Sequence, residues 1–111
     1  MDCIFCKIAA KKMHVATVHE TGRTIVIKDI NPQAPVHLLV LSKEHHANIL
    51  DCKDTGLLGE MLESAVEAAK KAGVAEKGFR TVINTNDEGG QTVYHLHIHV
   101  LAGRPLDGRL G

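Results

Sequence analysis

The chain has 111 residues, 44% hydrophobic and 23% charged, the proportions of an ordinary globular protein and the length of one domain, 1–111. Its 13 basic residues balance its 13 acidic ones, which argues against capture of a nucleic-acid backbone as its work. No apolar stretch approaches the ~20 residues of a membrane helix, and "MDCIFCKIAAKKM" lacks the basic start and long apolar run of a signal peptide, so the expectation is a cytoplasmic protein without membrane or nucleic-acid partners.

In chain order, "CIFCKIAA" reads as a short N-terminal helix carrying Cys3 and Cys6 as a C-x-x-C. In a reducing compartment that spacing reads as a metal half-site or a redox motif rather than a structural disulfide. Cys52, the third cysteine, reads as an incidental thiol. "HVATVHET" and "RTIVIKDI" are two β-branched strands joined at "TGR", and "NPQAP" breaks structure with two prolines. "VHLLVLSK" is apolar almost throughout and predicts a central strand; "HANILD" predicts a helical turn. From Asp54 to Lys71 runs one long helix, with Leu58, Met61, Leu62, Ala65, Val66, Ala69 and Ala72 at helical spacing. Asp54 caps its start and Gly73 ends it. "GFRTVINTN" and "YHLHIHVLAG" are two more strands around the glycine-bearing loop "DEGGQT", and "RPLDGRLG" is irregular. The sum is an α+β domain: a five-stranded antiparallel sheet with one long helix on one face and a short N-terminal helix.

The last strand holds His95, His97 and His99 at alternate positions. Alternation puts all three on one face and Leu96, Ile98 and Val100 on the other, under the long helix. One zinc ion for all three is strained, because His95 and His99 would have Cα atoms roughly 13 Å apart along a regular strand. The three histidines therefore divide their labour. A redox C-x-x-C is disfavoured, since no βαβ pattern follows it.

Three phrases, "CIFCKI", "DINPQAPVHLLVLSKEHH" and "GGQTVYHLHIHVLAGR", stand in order over residues 3–104. Together they resemble the histidine triad (HIT) family, in its branch of nucleotide-binding proteins that hydrolyse nucleoside phosphoramidates. The resemblance implies a HIT-like fold and a purine nucleotide or nucleoside phosphoramidate as ligand. It makes His97 the nucleophile, held in one tautomer by a backbone carbonyl and forming a nucleotidyl-histidine that water cleaves. Imidazole suits this work because it is partly neutral near pH 7. His99 would donate to a phosphate oxygen, with His37 beside it. Gly89, Gly90, Gln91 and Thr92 would form the phosphate-side loop, the Thr92 hydroxyl facing the phosphate or leaving group. Asn84 would contact the phosphate or ribose side and Asp29 both ribose hydroxyls. Ile4, Phe5, Ile8, Ile27 and Ile30 would line the base, with little discrimination between adenine and guanine.

The resemblance also implies structural zinc on Cys3, Cys6, His45 and His95, with His46 as an adjacent substitute for His45, and a homodimer joined through the long helix and the strand after it. Two other readings stay open: a dinucleoside polyphosphate hydrolase, and a zinc-stapled nucleotide-binding scaffold with little turnover. The tail "PLDGRLG" departs from the family's Trp-Pro-Pro-Gly-like ending, which puts the leaving-group preference in doubt.

Overall fold

The computed structural model describes residues 3–108, so the last part of the tail lies outside the described residues. A short helix α1 (Ile4–Ala9) leads into strands β1 (Thr17–Glu20), β2 (Thr24–Lys28) and β3 (Val36–Ser42). Helix α2 (Thr55–Lys71) follows, then β4 (Arg80–Val82) and β5 (His97–Ala102). The five strands form one antiparallel sheet in the order β1-β2-β3-β5-β4. This is the α+β architecture expected. "HANILD" forms a hydrogen-bonded turn, Asp51 N–H to Asn48 O at 3.1 Å, without helix.

Two cores flank the sheet, and the period of two along each strand sorts residues between them. Val26, Leu38, Val40, Ile98 and Val100 face α2, where they meet Leu57, Met61, Ala65 and Ala68. Ile25, Ile27, Leu39 and Leu41 face the other way, against Phe5 and Ile8 of α1. Burial of Leu57 and Met61, each with no exposed surface, stabilises the helix by roughly 1.5–3 kcal/mol apiece. Small residues let α2 approach closely, and the buried Ser64 hydroxyl pairs with that of Thr24 at 2.7 Å.

Asp54 caps α2 as expected, accepting from Leu57 N–H at 3.0 Å. Gly73, at φ 75°, ends it, with Val74 N–H on Ala69 O at 3.0 Å and Gly73 N–H on Lys70 O at 3.1 Å. The apolar stripe needs one correction. Leu62 and Val66 are 48% and 41% exposed and Ala72 is exposed too, because the face that meets the sheet runs through Leu57, Met61, Ser64, Ala65, Ala68 and Ala69.

Helix α1 ends with the same hydrogen-bond pattern but no glycine. Lys12 N–H reaches Lys7 O at 2.8 Å and Lys11 N–H reaches Ile8 O at 3.0 Å. Lys11 takes the left-handed conformation, φ 64°, at a cost of roughly 1–2 kcal/mol for a residue with a Cβ. An ion pair with Glu20 at 2.6 Å engages its side chain.

The final strand starts later than the histidine alternation predicts. His95 lies in a bend before β5, which opens at His97. Leu96 N–H bonds to His46 O at 2.7 Å, tying this segment to the loop after β3 rather than to the sheet. Among the described residues no helix is long and apolar enough to cross a membrane.

Candidate active site and metal centre

In the β3–β5 register His97 stands opposite Leu41 and His99 opposite Leu39. Paired residues share a face, so both imidazoles emerge on the α1 side. Phe5 packs edge-on to His95 and His97, with ring centroids 5.9 and 5.1 Å away. The triad histidines thus line one side despite the late strand start.

Each histidine's proton can be placed from what its nitrogens face. Nδ1 of His97 lies 2.6 Å from His95 O. A carbonyl only accepts, so Nδ1 carries the proton and Nε2 keeps its lone pair. Burial pushes the His97 pKa below the ordinary imidazole value, against the opposing pull of that hydrogen bond and of Asp29.

His37 and His99 form a second unit. Gln33 N–H donates to Nδ1 of His37 at 3.0 Å, so the His37 proton sits on Nε2, which reaches Nδ1 of His99 at 2.9 Å. His99 then carries its proton on Nε2. That atom lies 3.4 Å from Asn84 Nδ2, so a proton on His99 Nε2 requires the Asn84 amide to be turned with its oxygen toward the ring. Burial, with the neighbouring His97 and His37, lowers the His99 pKa to about 4. The result is a lone-pair nitrogen on His97 beside a neutral N–H donor on His99, ring centroids 5.0 Å apart.

The pocket beside them has a cavity of about 340 Å³, walled by Phe5 and Ile8 of α1 and by Ile27 and Leu39 of the sheet. Asp29, Thr92, His97 and His99 also line it, as do Ile4 and Ile30. Ile30 is 94% exposed and contributes only at the rim. One Asp29 oxygen accepts from Asn31 N–H at 2.8 Å, and the other lies 3.4 Å from His37 Nε2. Gly90 and Gln91 are not among the pocket-lining residues. Their N–H groups bond to Asp87 O and Asn86 O within the loop. The buried Gln91 amide ties Ala47 O and Val93 O to Asn86 N–H. Gly89 is required there, because a Cβ would strike the Thr85 backbone. Sequence reasoning missed Met13, His14, Val15, Lys28 and Val93, which also line the pocket.

Behind His97 four ligand atoms converge: Cys3 Sγ, Cys6 Sγ, His45 Nδ1 and His95 Nδ1, all within 4.8 Å of one another. Both His95 contacts, 3.3 Å to Cys3 and 3.5 Å to Cys6, fall at the separations of a tetrahedral site, and Cys6–His45 and His45–His95, both 3.2 Å, are slightly shorter. Zinc with Zn–S near 2.3 Å and Zn–N near 2.05 Å sets such separations at roughly 3.3–3.6 Å. The His95 ring is held in the orientation a ligand needs. Its Nε2–H donates to Ser42 O at 2.6 Å, aiming the Nδ1 lone pair at the thiols. His46 is turned away, its Nε2 buried without a hydrogen bond and 3.9 Å from Glu44.

A second cluster, Asp29, His37 and His99, also lies within ligand distance, but its protons point the wrong way. His37 Nδ1 faces a donor, Gln33 N–H. Nε2 of His37 could bind a metal only by giving up its proton or by turning N–H against N–H. The first cluster has a donor set that could hold a metal ion, whereas the second is arranged as a hydrogen-bond relay.

A backbone-oriented histidine beside an N–H-donating one, on an open apolar pocket, defines an enzyme site of the histidine triad type. The family model described as "Scavenger mRNA decapping enzyme C-term binding" matches residues 2–107, and the chain belongs to the histidine triad family, as a hydrolase-class enzyme. It is 47% identical over 107 residues to "Protein HitA" of Neisseria gonorrhoeae, covering 95% of this chain and 98% of that protein. The "Purine nucleoside phosphoramidase" of Escherichia coli K12 is 37% identical, over 95% of this chain and 90% of that one. Two solved structures superpose closely. The histidine triad protein from Clostridium difficile has TM-score 0.94 and 38% identity, covering 99% of this chain and 97% of that chain. The HIT family hydrolase from Legionella pneumophila has TM-score 0.93 and 42% identity, covering 99% and 100%.

Proposed function

We propose that this chain hydrolyses purine nucleoside 5′-phosphoramidates and related nucleoside monophosphate conjugates. The observation that carries the reading is the His97–His95 hydrogen bond. It leaves Nε2 of His97 as a fixed lone pair facing the pocket, the requirement for attack on phosphorus. Nε2 bonds to the α-phosphorus as the phosphorus–nitrogen bond to the leaving amine breaks, and the amine takes up a proton. Water then attacks the nucleotidyl-histidine, releasing nucleoside monophosphate and returning the lone pair to His97. The His99 N–H stabilises charge on a phosphoryl oxygen in both steps. Thr92, exposed at the pocket, offers its hydroxyl to the leaving-group side. The aliphatic walls hold the base, and Asp29 keeps one oxygen lightly engaged for the ribose. The 37% identity to a phosphoramidase supports this substrate class over a dinucleoside polyphosphate.

The test is a rapid acid-free quench during turnover of adenosine 5′-phosphoramidate, followed by peptide mapping. A nucleotidyl group on the His97 peptide is expected; an adduct elsewhere, or none under single-turnover conditions, sinks the mechanism.

Zinc on Cys3, Cys6, His45 and His95 would supply structural cross-linking only, since four protein ligands leave no open position for water. It would pin α1 and the segment before β5 together, fixing the carbonyl that orients His97. We read the working unit as a homodimer: β4 is a short edge strand, and Leu62 and Val66 of α2 are exposed apolar residues that a partner would cover. A light-scattering mass of one chain would refute that.

A further inference from the structure

The base pocket carries one polar ring that neither its phosphate end nor its ribose end uses. The turn closing α1 sends the chain back over Ile8 and lays Met13, His14 and Val15 along the pocket. Val15 packs into the core beside α1 and sets the depth of the segment. Met13 and His14 remain exposed at the lip. The same three residues line an adjoining cavity that includes none of Asp29, Thr92, His97 and His99. They therefore mark the end of the pocket away from the phosphate. Phe5, Ile8, Ile27 and Leu39 give the pocket apolar walls for the faces of a planar base, and Lys28 also lines it. What remains to be read is the polar edge. Among the described residues neither ring nitrogen of His14 has a hydrogen-bond partner.

Building on the phosphoramidase reading, we propose that His14 reads the nucleobase by hydrogen bonding to the 6-substituent of a purine, and is the residue that selects the base. A bicyclic base extends farther from the ribose than a pyrimidine, toward the lip where His14 stands. Neutral imidazole presents one donor and one acceptor, so a 6-amino and a 6-oxo group are both served. Such a contact would favour purines over pyrimidines while serving adenine and guanine alike.

The experiment compares the full-length protein with His14→Ala, His14→Phe and His14→Gln. Substrates are adenosine 5′-phosphoramidate and the purine riboside 5′-phosphoramidate that lacks the 6-substituent. Calorimetry of the two corresponding monophosphates gives a readout independent of turnover. The wild type is expected to favour the adenosine compound by roughly fivefold to tenfold in kcat/KM and in affinity, the worth of one hydrogen bond. Ala and Phe should erase that preference by weakening the adenosine compound alone, and Gln should restore it. An equal fall for both ligands in His14→Ala, or no change, overturns the proposal. Absence of turnover in the wild type would count against the phosphoramidase reading, while the calorimetric comparison still decides the role of His14.

Discussion

Nδ1 of His97 sits 2.6 Å from the carbonyl oxygen of His95, so one histidine of the run fixes the tautomer of the next through its backbone, while its own ring turns toward two thiols. The lone pair on His97 is therefore a consequence of the fold and does not depend on a bound ligand to create it. His97→Ala should lower kcat for a phosphoramidate by about three orders of magnitude or more, as for removal of other covalent nucleophiles. Binding of nucleoside monophosphate, followed by calorimetry, should change by less than about tenfold, because the walls and Asp29 remain. Substantial turnover by this variant would exclude His97 from covalent catalysis.

His37 acts at one remove. It passes the orientation set by Gln33 N–H to His99, through contacts of 3.0 and 2.9 Å. With His37→Ala the His99 ring loses the donor that keeps its own proton on Nε2, and both tautomers become populated. We expect kcat to fall about a hundredfold, in the range of one misplaced proton donor, with KM little altered. Nitrogen-15 spectra of the His99 ring report the tautomer directly. An unchanged ring spectrum beside a depressed kcat would mean that His37 acts in some other way.

His99 also makes a pH prediction. Its folded pKa, about 4, lies below the ordinary 6.5, with burial the first cause and the neighbouring His97 and His37 next. Between those two values the unfolded chain binds more protons at this position than the folded one, so stability rises with pH across the window. The contribution is complete above pH 6.5, is lost as the pH falls, and saturates below about 4. His99→Asn should flatten that part of the stability profile. The ring shifts of His99 should show it neutral at about pH 5.5, inside that window; a midpoint near the ordinary imidazole value would remove the effect.

The fold was legible where local chemistry and burial agree. Val36 to Ser42 reads as a central strand and is one. Asp54 and Gly73 bracket α2 because a cap and a left-handed turn have residue preferences that leave a mark in sequence. Lys11 occupies the same left-handed position as Gly73 without a glycine to announce it. The turn it makes leaves no such mark, and Met13 and His14 at the pocket lip are hidden with it. The triad's common face follows from strand alternation, yet His95 is not in the strand. Its ring is placed by Ser42 O and by the converging thiols, contacts between segments far apart in the chain. Gln91 falls in the expected loop, but nothing local says whether its amide points to a ligand or back into the protein. Leu62 and Val66 fit a helical stripe equally well whether sheet or solvent covers them, because periodicity fixes a face only to within about one residue.

The cysteine–histidine cluster ties the N-terminal helix to the catalytic segment and gives the last prediction. Its four ligand atoms already stand at separations suited to a tetrahedral ion. Its histidine from the triad is oriented by a carbonyl of β3. Two thiols and two imidazoles suit zinc better than a hard cation, which prefers oxygen. Protein purified without chelator should carry one zinc per chain by elemental mass spectrometry, and Cys3→Ser with Cys6→Ser should carry none. Metal binding to a folded site adds directly to folding stability, so the double variant should melt well below the wild type and should not respond to a chelator that lowers the wild-type Tm. Activity should fall less than in His97→Ala, because α1 loosens while the His97 nucleophile itself stays in place. Metal-free wild-type protein with an undiminished Tm would instead make the four residues a hydrogen-bonded cluster, and α1 would have to be held by Phe5 and Ile8 alone.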